Sequence, residues 1–277
     1  MVKIAILITS LVKGGAERVV NTLLHNLSKD KFDIYLVLLE DNVEFLINDS
    51  ISKIILSKHN KYSIGKLLEL PFLAIRLKKI LRKNKIPIVL SFLYRSNYIN
   101  VLAKLYGSKH RSIISIRNTT SLYLDKGLLG RINLFLVKIL FGKADLIVSN
   151  SLGVKDDLNN LFNFKNQHIV IPNPYNLNII HRAKEEAISD FNFEKNKKYI
   201  ITIGRLIEQK RKHDLLYAFH LVQKKIENCE LIIIGDGVDK VTLRKLSLEL
   251  HISNKSHFLG IVDNPFKYLN SCFVLIE

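Results

Sequence analysis

The chain has 277 residues, of which 48% are hydrophobic, and a formal charge of +17. This length predicts two domains, while two thiols without motif spacing, Cys229 and Cys272, exclude a disulfide-rich secreted scaffold and favour a reducing, cytoplasmic compartment. No apolar run is long enough to span a bilayer, and the short apolar start runs into a glycine pair, so we expect no secretory signal peptide.

In the first half of the chain, short apolar runs alternate with segments of helical period. Several runs are almost continuous Val, Ile and Leu, which is typical of strands buried on both faces of a parallel sheet. Alternation of strand and helix predicts right-handed βαβ units in a doubly wound α/β sheet. The predicted strands are Lys3–Ile8, Asp33–Leu39, Ile54–Leu56, Ile88–Phe92, Ser112–Ile116, Asp145–Val148 and, more weakly, Ile169–Ile171. The predicted helices are Ala16–Leu27, Ile64–Lys83, Ser96–Tyr106, Gly130–Phe141 and Val154–Leu161.

The pattern breaks at Pro172-Asn173-Pro174 and restarts near residue 199. We expect residues 1–175 to form one lobe, 176–198 a polar connection with an exposed helical segment, and 199–277 a second lobe. Because the sequence stops inside its fourth strand, we expect this lobe to be incomplete or completed by another chain. The predicted strands here are Tyr199–Gly204, Glu230–Ile234, His257–Leu259 and Phe273–Ile276, and the predicted helices are Arg211–Ile226, Asp239–Leu250 and Pro265–Leu269.

A glycine pair, Gly14-Gly15, follows the first predicted strand and opens the first helix. Glycines let a ligand approach the backbone, and a helix N-terminus favours anions. The pair alone is also compatible with a tight turn that binds nothing. The G-x-G-x-x-G dinucleotide fingerprint is absent, which argues against a nicotinamide cofactor.

A second turn, after the strand that ends at Gly204, carries two cations. Arg205 stands at the carboxyl end of that strand, where open α/β sheets bind ligands, and Lys210 follows at the start of the next helix. An Arg fork and a mobile Lys charge suit a diphosphate. The run Lys210-Arg211-Lys212 alone would be typical of a solvated basic turn, but its position after a buried strand favours the binding site.

That turn, GRLIEQK followed by LLYAF, resembles family 4 of the retaining glycosyltransferases, which have the GT-B fold of two Rossmann-like parallel-sheet lobes. The remaining motifs agree in order. They are GGAERVV, ADLIVSNS, VIPNPYN, LIIIGDG, and FLG with Asn264. The resemblance covers Val2–Leu275, essentially the whole chain.

The resemblance implies transfer of a sugar from a nucleotide diphosphate sugar, a UDP- or GDP-sugar, to a glycan or lipid-linked acceptor in surface polysaccharide synthesis. It implies retention of configuration, no metal and no cofactor. Arg205 and Lys210 would hold the diphosphate and stabilise the leaving group. The other implied binding residues are Gly14, Gly15, Gly204, Gly235, Gly237, Leu259, Gly260 and Val262.

Two departures from the family pattern concern the acceptor side and the acidic motif. Where many relatives carry a His, this chain reads Arg117-Asn118-Thr119, and we interpret the nearby His110 as a surface residue. The family's Glu-(seven residues)-Glu motif would follow the strand Phe273–Ile276, and Glu277 comes too early to begin it. The alternative function is therefore a truncated, catalytically impaired remnant of such an enzyme.

The positive charge has a local cluster in LAIRLKKILRKNKIP, which contains no acid. Leu70, Leu73, Leu77, Ile80 and Leu81 form an apolar stripe at helical spacing. One hypothesis is peripheral contact with an anionic membrane. The alternative is that the stripe packs on the sheet and the charges are solvated. No RNA-binding motif or recognition helix is recognisable, so we expect no nucleic-acid partner.

Overall fold

The structure, a computed structural model, describes residues 1–12, 14–57, 67–175 and 177–276. These residues form two compact units, Met1–Tyr175 and Asn176–Glu277. Each unit has its own parallel sheet and its own hydrophobic core. No helix in the described ranges combines the length and the apolar character needed to cross a bilayer.

The first unit contains a seven-stranded parallel sheet with the order β3-β2-β1-β4-β5-β6-β7. The strand order therefore reverses between β1 and β4. The strands are β1 Val2–Ile8, β2 Phe32–Leu38, β3 Ser52–Ile55, β4 Ile88–Phe92, β5 Arg111–Ile116, β6 Leu146–Ser149 and β7 Gln167–Val170. The helices are α1 Gly15–Asn26, α2 Leu70–Asn84, α3 Tyr94–Leu105, α4 Gly127–Leu140 and α5 Leu152–Phe162.

Strand β1 is apolar throughout because both of its faces are buried. Ala5 and Leu7 belong to the core beneath α2 to α5, whereas Ile6 and Ile8 belong to the core beneath α1. Successive side chains of a strand point to opposite faces, so a continuous apolar run supplies two cores at once. The predicted parallel α/β sheet is confirmed.

The apolar stripe of the basic segment packs inward. Leu70, Leu73, Leu77 and Leu81 of α2 are all buried in the first unit's core. The structure thus supports the alternative in which the stripe packs on the sheet, and those leucines are not available to a membrane. The start of the predicted helix, residues 64–66, lies outside the described residues.

A chain of buried polar groups connects α3 to the sheet. His110 Nε2 lies 2.8 Å from Asn100 Oδ1, Asn100 Nδ2 lies 2.9 Å from Ser91 Oγ, and Ser91 Oγ lies 2.8 Å from Asn97 Oδ1. Ser108 Oγ lies 2.9 Å from His110 Nδ1 at the other end. Asn100 donates through Nδ2, so its Oδ1 accepts from an Nε2–H tautomer of His110.

The interpretation of His110 as a surface residue is wrong. Only 5% of the residue is exposed. Burial, assisted by the charge of Lys104, lowers the pKa of His110 to about 4, so the ring is neutral near pH 7. Its role is structural, because both ring nitrogens already have partners inside the first unit.

The second unit contains a four-stranded parallel sheet with the order β10-β9-β8-β11. Strand β8 is central, and the strand order reverses between β8 and β11. The strands are β8 Lys198–Ile203, β9 Cys229–Ile234, β10 Ser256–Gly260 and β11 Val274–Leu275. The helices are α6 Leu177–Ala183, α7 Lys212–Gln223 and α8 Lys240–Glu249, with a 3₁₀ segment at Pro265–Ser271.

The predicted connection, residues 176–198, contributes three apolar side chains to the second unit's core. Ile188, Phe191 and Phe193 pack against the cluster that contains Tyr199 and Tyr268. Asp190 Oδ2 also accepts a hydrogen bond of 2.6 Å from the Tyr268 hydroxyl. The polar composition of this stretch conceals three apolar side chains that cover one face of the second sheet.

Candidate functional site

The carboxyl end of β8 brings the predicted diphosphate residues together. Arg205 lies two residues after the end of β8 and is exposed, and Leu206 beside it is fully buried. Lys210 ends the short 3₁₀ turn Glu208–Lys210, and its Cε lies 3.9 Å from the point where a Cβ of Gly204 would be. The Lys210 side chain therefore extends over the strand tip at the point where the strand order reverses, which is the usual ligand position in an open parallel sheet.

Both cations remain available for an anion. Neither Arg205 nor Lys210 forms a side-chain hydrogen bond or an ion pair with any residue that the structure describes. Asp236, on the neighbouring loop, does not compete, because Lys240 Nζ lies 2.7 Å from its Oδ2. Lys240, together with the Gly237 amide, lowers the pKa of Asp236, so the carboxylate is ionised and already neutralised.

Three glycines line the carboxyl ends of β8, β9 and β10. Gly204 donates its N–H to Ile234 O at 2.9 Å, and Gly235 donates to Gly260 O at 2.7 Å. A Cβ on Gly235 would lie 2.0 Å from Gly204 O, and a Cβ on Gly237 would lie 2.1 Å from Leu206 O. Gly235 and Gly237 are thus required by packing between adjacent backbones, which is a role that the sequence could not distinguish from ligand binding.

The remaining predicted residues of the second unit differ in exposure. Gly260 has φ +75 and open space around its missing Cβ, so the backbone there can be approached. Leu259 and Val262 are half-buried and pack on the cluster that includes Tyr199 and Ile234. Their side chains support the sheet, and a nucleotide base at this loop would therefore contact backbone.

The glycine pair of the first unit lies at the carboxyl end of β1. Gly14 precedes α1, and Gly15 begins the helix with nothing within 4 Å of its missing Cβ. Glu17 Oε2 would lie 2.2 Å from a Cβ on Gly14, so the Glu17 carboxylate folds back over the N-terminus of α1. A carboxylate at this position interacts favourably with the helix dipole and occupies the approach to Gly14.

The burial of Lys212 was not predicted from the sequence. Only 3% of Lys212 is exposed, and its Nζ donates a hydrogen bond to Oγ1 of the fully buried Thr202 in β8. Its position at the first residue of α7, directly over the strand that it bonds, was the only available signal.

Two family models match the chain in order: "Glycosyltransferase Family 4" over residues 13–179, more than half of the sequence, and "Glycosyl transferases group 1" over residues 183–276. A relative from Campylobacter jejuni, N-acetylgalactosamine-N,N'-diacetylbacillosaminyl-diphospho-undecaprenol 4-alpha-N-acetylgalactosaminyltransferase, is 36% identical over 98% of this chain and 73% of its own length. This chain is a family 4 glycosyltransferase.

Further relatives of this glycosyltransferase agree with that assignment. An uncharacterised glycosyltransferase from Methanocaldococcus jannaschii is 30% identical over 72% of the chain and 52% of its own length. Sucrose-phosphate synthase from Thermosynechococcus elongatus superposes with a TM-score of 0.80 and 16% identity, covering 99% of this chain and 75% of that one. The crystal structure of Anabaena HepE in complex with UDP superposes with a TM-score of 0.72 and 16% identity, covering 99% of this chain and 73% of that one. These structural likenesses support the GT-B fold, with a smaller second lobe in this glycosyltransferase.

Proposed function

We propose that this glycosyltransferase moves a hexose or N-acetylhexosamine from a UDP- or GDP-sugar to a glycan or lipid-linked acceptor, with retention of configuration, in surface polysaccharide synthesis. The C. jejuni relative is named for a diphospho-undecaprenol acceptor, and HepE was crystallised with UDP. These names support a nucleotide-sugar donor and a lipid-linked acceptor. Retention follows from the resemblance to the retaining family and is tested by the anomeric configuration of the product in a proton NMR spectrum.

One observation carries the proposal: two cations, Arg205 and Lys210, lie near the tip of β8 in the second sheet, and neither is paired with a residue that the structure describes. When the glycosidic bond to the donor breaks, negative charge develops on the leaving nucleotide diphosphate. Fixed cations at that point lower the barrier because they need no reorganisation during the reaction. The same cations strengthen ground-state binding of the diphosphate through charge-assisted hydrogen bonds.

Calorimetry with a panel of UDP- and GDP-sugars tests the proposal. Each charge-assisted hydrogen bond contributes about 1.5–3 kcal/mol, so Arg205→Ala or Lys210→Ala should weaken donor binding by about 10- to 100-fold. Lys225→Ala is the matched control, because Lys225 is exposed after the end of α7 and should leave the affinity unchanged. Equal affinities for the three variants and the wild type would refute the assignment of this site.

We also propose peripheral contact between the first unit and an anionic membrane at the cytoplasmic face. The support comes from residues other than the predicted stripe. Phe72 and Ile75 are exposed on α2, Leu68 is exposed just before the helix, and Lys79 and Arg82 continue the same line at helical spacing. Such a mixture of apolar and basic residues suits a lipid interface.

Helix α4 offers a second exposed apolar line, formed by Leu128, Ile132, Phe135 and Ile139. Arg131 and Lys138 are also exposed, and α4 contains no acid. Helices α2, α3 and α4 all pack on one face of the first sheet. Cations beside these apolar lines favour an anionic bilayer over a second copy of the chain, since self-association would bring like charges together.

Vesicle sedimentation tests this contact. The wild type should pellet with vesicles rich in phosphatidylglycerol at low salt, and Phe135→Asp should lower the bound fraction severalfold. Leu221→Asp, at a similarly exposed apolar position on α7 of the second unit, is the control and should bind like the wild type. If Phe135→Asp binds as well as Leu221→Asp, α4 does not contact the membrane.

A further inference from the structure

Arg117 is a half-buried cation at the carboxyl end of β5 in the first unit. Its guanidinium carbon lies 5.0 Å from the centroid of the Phe92 ring, and its Nη1 donates a hydrogen bond of 2.6 Å to Asn173 Oδ1. Both groups are neutral. The ring and the amide therefore fix the orientation of the guanidinium without cancelling its charge.

Within the described part of the chain, Arg117 forms no ion pair. Its Nε is buried and has no hydrogen-bond partner among the described residues. Asp157, on α5, is already engaged by the amides of Thr120 and Ser121. The guanidinium of Arg117 thus retains N–H donors without a partner among the described residues, in a partly buried environment.

Such a cation is costly in the free protein. Burial lowers the pKa of Arg117 to about 10, which reflects the loss of hydration around its charge. A desolvated charge without a counterion opposes folding, and an anion that binds there recovers part of the lost free energy. A planar guanidinium fork matches phosphate oxygens in particular.

Arg117 follows β5, and the residues around it come from the carboxyl ends of β4, β6 and β7. Phe92 closes β4, Asn150 follows β6 and donates to the Arg117 carbonyl at 3.4 Å, and Asn173 lies three residues after β7. The carboxyl edge of a parallel sheet is where ligands bind. Residues from the ends of three other strands therefore surround Arg117 at the carboxyl edge of the first sheet, and two of them, Phe92 and Asn173, contact its guanidinium.

We propose that Arg117 binds a phosphate group of the substrate at the first unit, and that this group is the diphosphate of a lipid-linked acceptor. The inference rests on the proposed function, which supplies a glycosyl acceptor carried on a diphosphate. The nucleotide diphosphate of the donor has the same chemistry, so the experiment separates the two sources.

Binding of geranyl diphosphate, geraniol and UDP to the full chain is measured by calorimetry. Arg117→Gln should weaken geranyl diphosphate binding by about 10- to 100-fold, as expected for loss of a charge-assisted pair, and leave UDP binding unchanged. Arg117→Lys keeps the positive charge but loses the planar guanidinium, so its affinity for geranyl diphosphate should lie between those of the wild type and Arg117→Gln. Geraniol, which lacks the phosphates, should respond to neither variant. Loss of UDP binding in Arg117→Gln would instead assign the anion to the donor and overturn the acceptor proposal.

Asn173→Asp separates binding from a purely structural role. A carboxylate at position 173 gives Arg117 a counterion, which no described residue provides, so the melting temperature should rise while geranyl diphosphate binding weakens by at least about tenfold. If the contact between Arg117 and Asn173 is purely structural, the melting temperature should rise equally while geranyl diphosphate binding stays unchanged. That result would overturn the proposal. Absence of donor binding in the wild type would instead reject the proposed function itself.

Discussion

Gly235 packs directly on Gly204, since a Cβ at position 235 would lie 2.0 Å from the Gly204 carbonyl oxygen. The residue also has φ +138, which side chains of L-residues rarely adopt. Gly235→Ala should therefore lower the free energy of unfolding by about 3 kcal/mol or more, as measured by chemical denaturation. Gly260→Ala is the matched control, because it has φ +75 but open space and should cost only about 1 kcal/mol. Equal losses for the two variants would mean that the collision is relieved by movement of the loop.

Arg211 adopts the left-handed conformation, with φ 49 and ψ 36, immediately before α7. Arg211→Gly should stabilise the chain by about 1 kcal/mol, because glycine accepts this conformation without steric penalty. The ion pair with Asp214 that is lost is 74% exposed on the arginine side and contributes little. Arg211→Lys retains the strain and should show no gain. A loss of stability in the glycine variant would show that the ion pair outweighs the strain.

His110 predicts an acid-sensitive fold. Its pKa is lowered by burial to about 4 from the usual 6.5, so the unfolded chain takes up the proton first and acid favours unfolding. Its stabilising contribution is complete above pH 6.5 and is lost as the pH falls towards 4. Between pH 8 and pH 4.5 this amounts to roughly 2–3 kcal/mol.

Urea denaturation of the wild type and His110→Gln at both pH values measures this difference. Glutamine can still bond to Asn100 and Ser108 but does not titrate, so the variant should lose less stability on acidification. The comparison also removes the contribution of carboxylates that titrate in both proteins. Parallel pH curves for the two proteins would contradict the assignment.

The buried contact between Lys212 and Thr202 should contribute to the stability of the second unit. Thr202→Val preserves shape but removes one acceptor of the Lys212 ammonium, and we expect a loss of about 1–2 kcal/mol in thermal or chemical denaturation. Thr202→Ser keeps the hydroxyl and should lose only the smaller packing term of one methyl group. If valine is tolerated as well as serine, the hydrogen bond is energetically unimportant.

The sheet framework was predictable from sequence because it depends on local patterns. Near-continuous Val, Ile and Leu runs identified β4 and β9 within one residue, since strands buried on both faces leave no polar alternation to misread. The position of Arg205 at a strand tip followed from the same pattern together with the glycine that ends the strand.

Burial of single polar residues was not predictable, because it depends on what packs from elsewhere. His110 precedes a strand in a basic stretch, and only the packing of α3 on the sheet brings Asn100 to its ring. Lys212 looked like its two exposed neighbours until α7 was placed against β8. The contact between Arg117 and Asn173 spans 56 residues, which no local period encodes.

The buried chain from Ser108 through His110, Asn100 and Ser91 to Asn97 also fixes the axial register of α3 against the sheet. Shifting the helix by one turn would leave several polar groups buried without hydrogen-bond partners. A purely apolar contact would tolerate such a shift. Replacing one of these polar residues by an apolar one should therefore lower the free energy of unfolding more than replacing the whole set together. Helix α3 also carries Arg95, which pairs with Glu40. By fixing the position of the helix, the buried polar groups also fix the position of this ion pair.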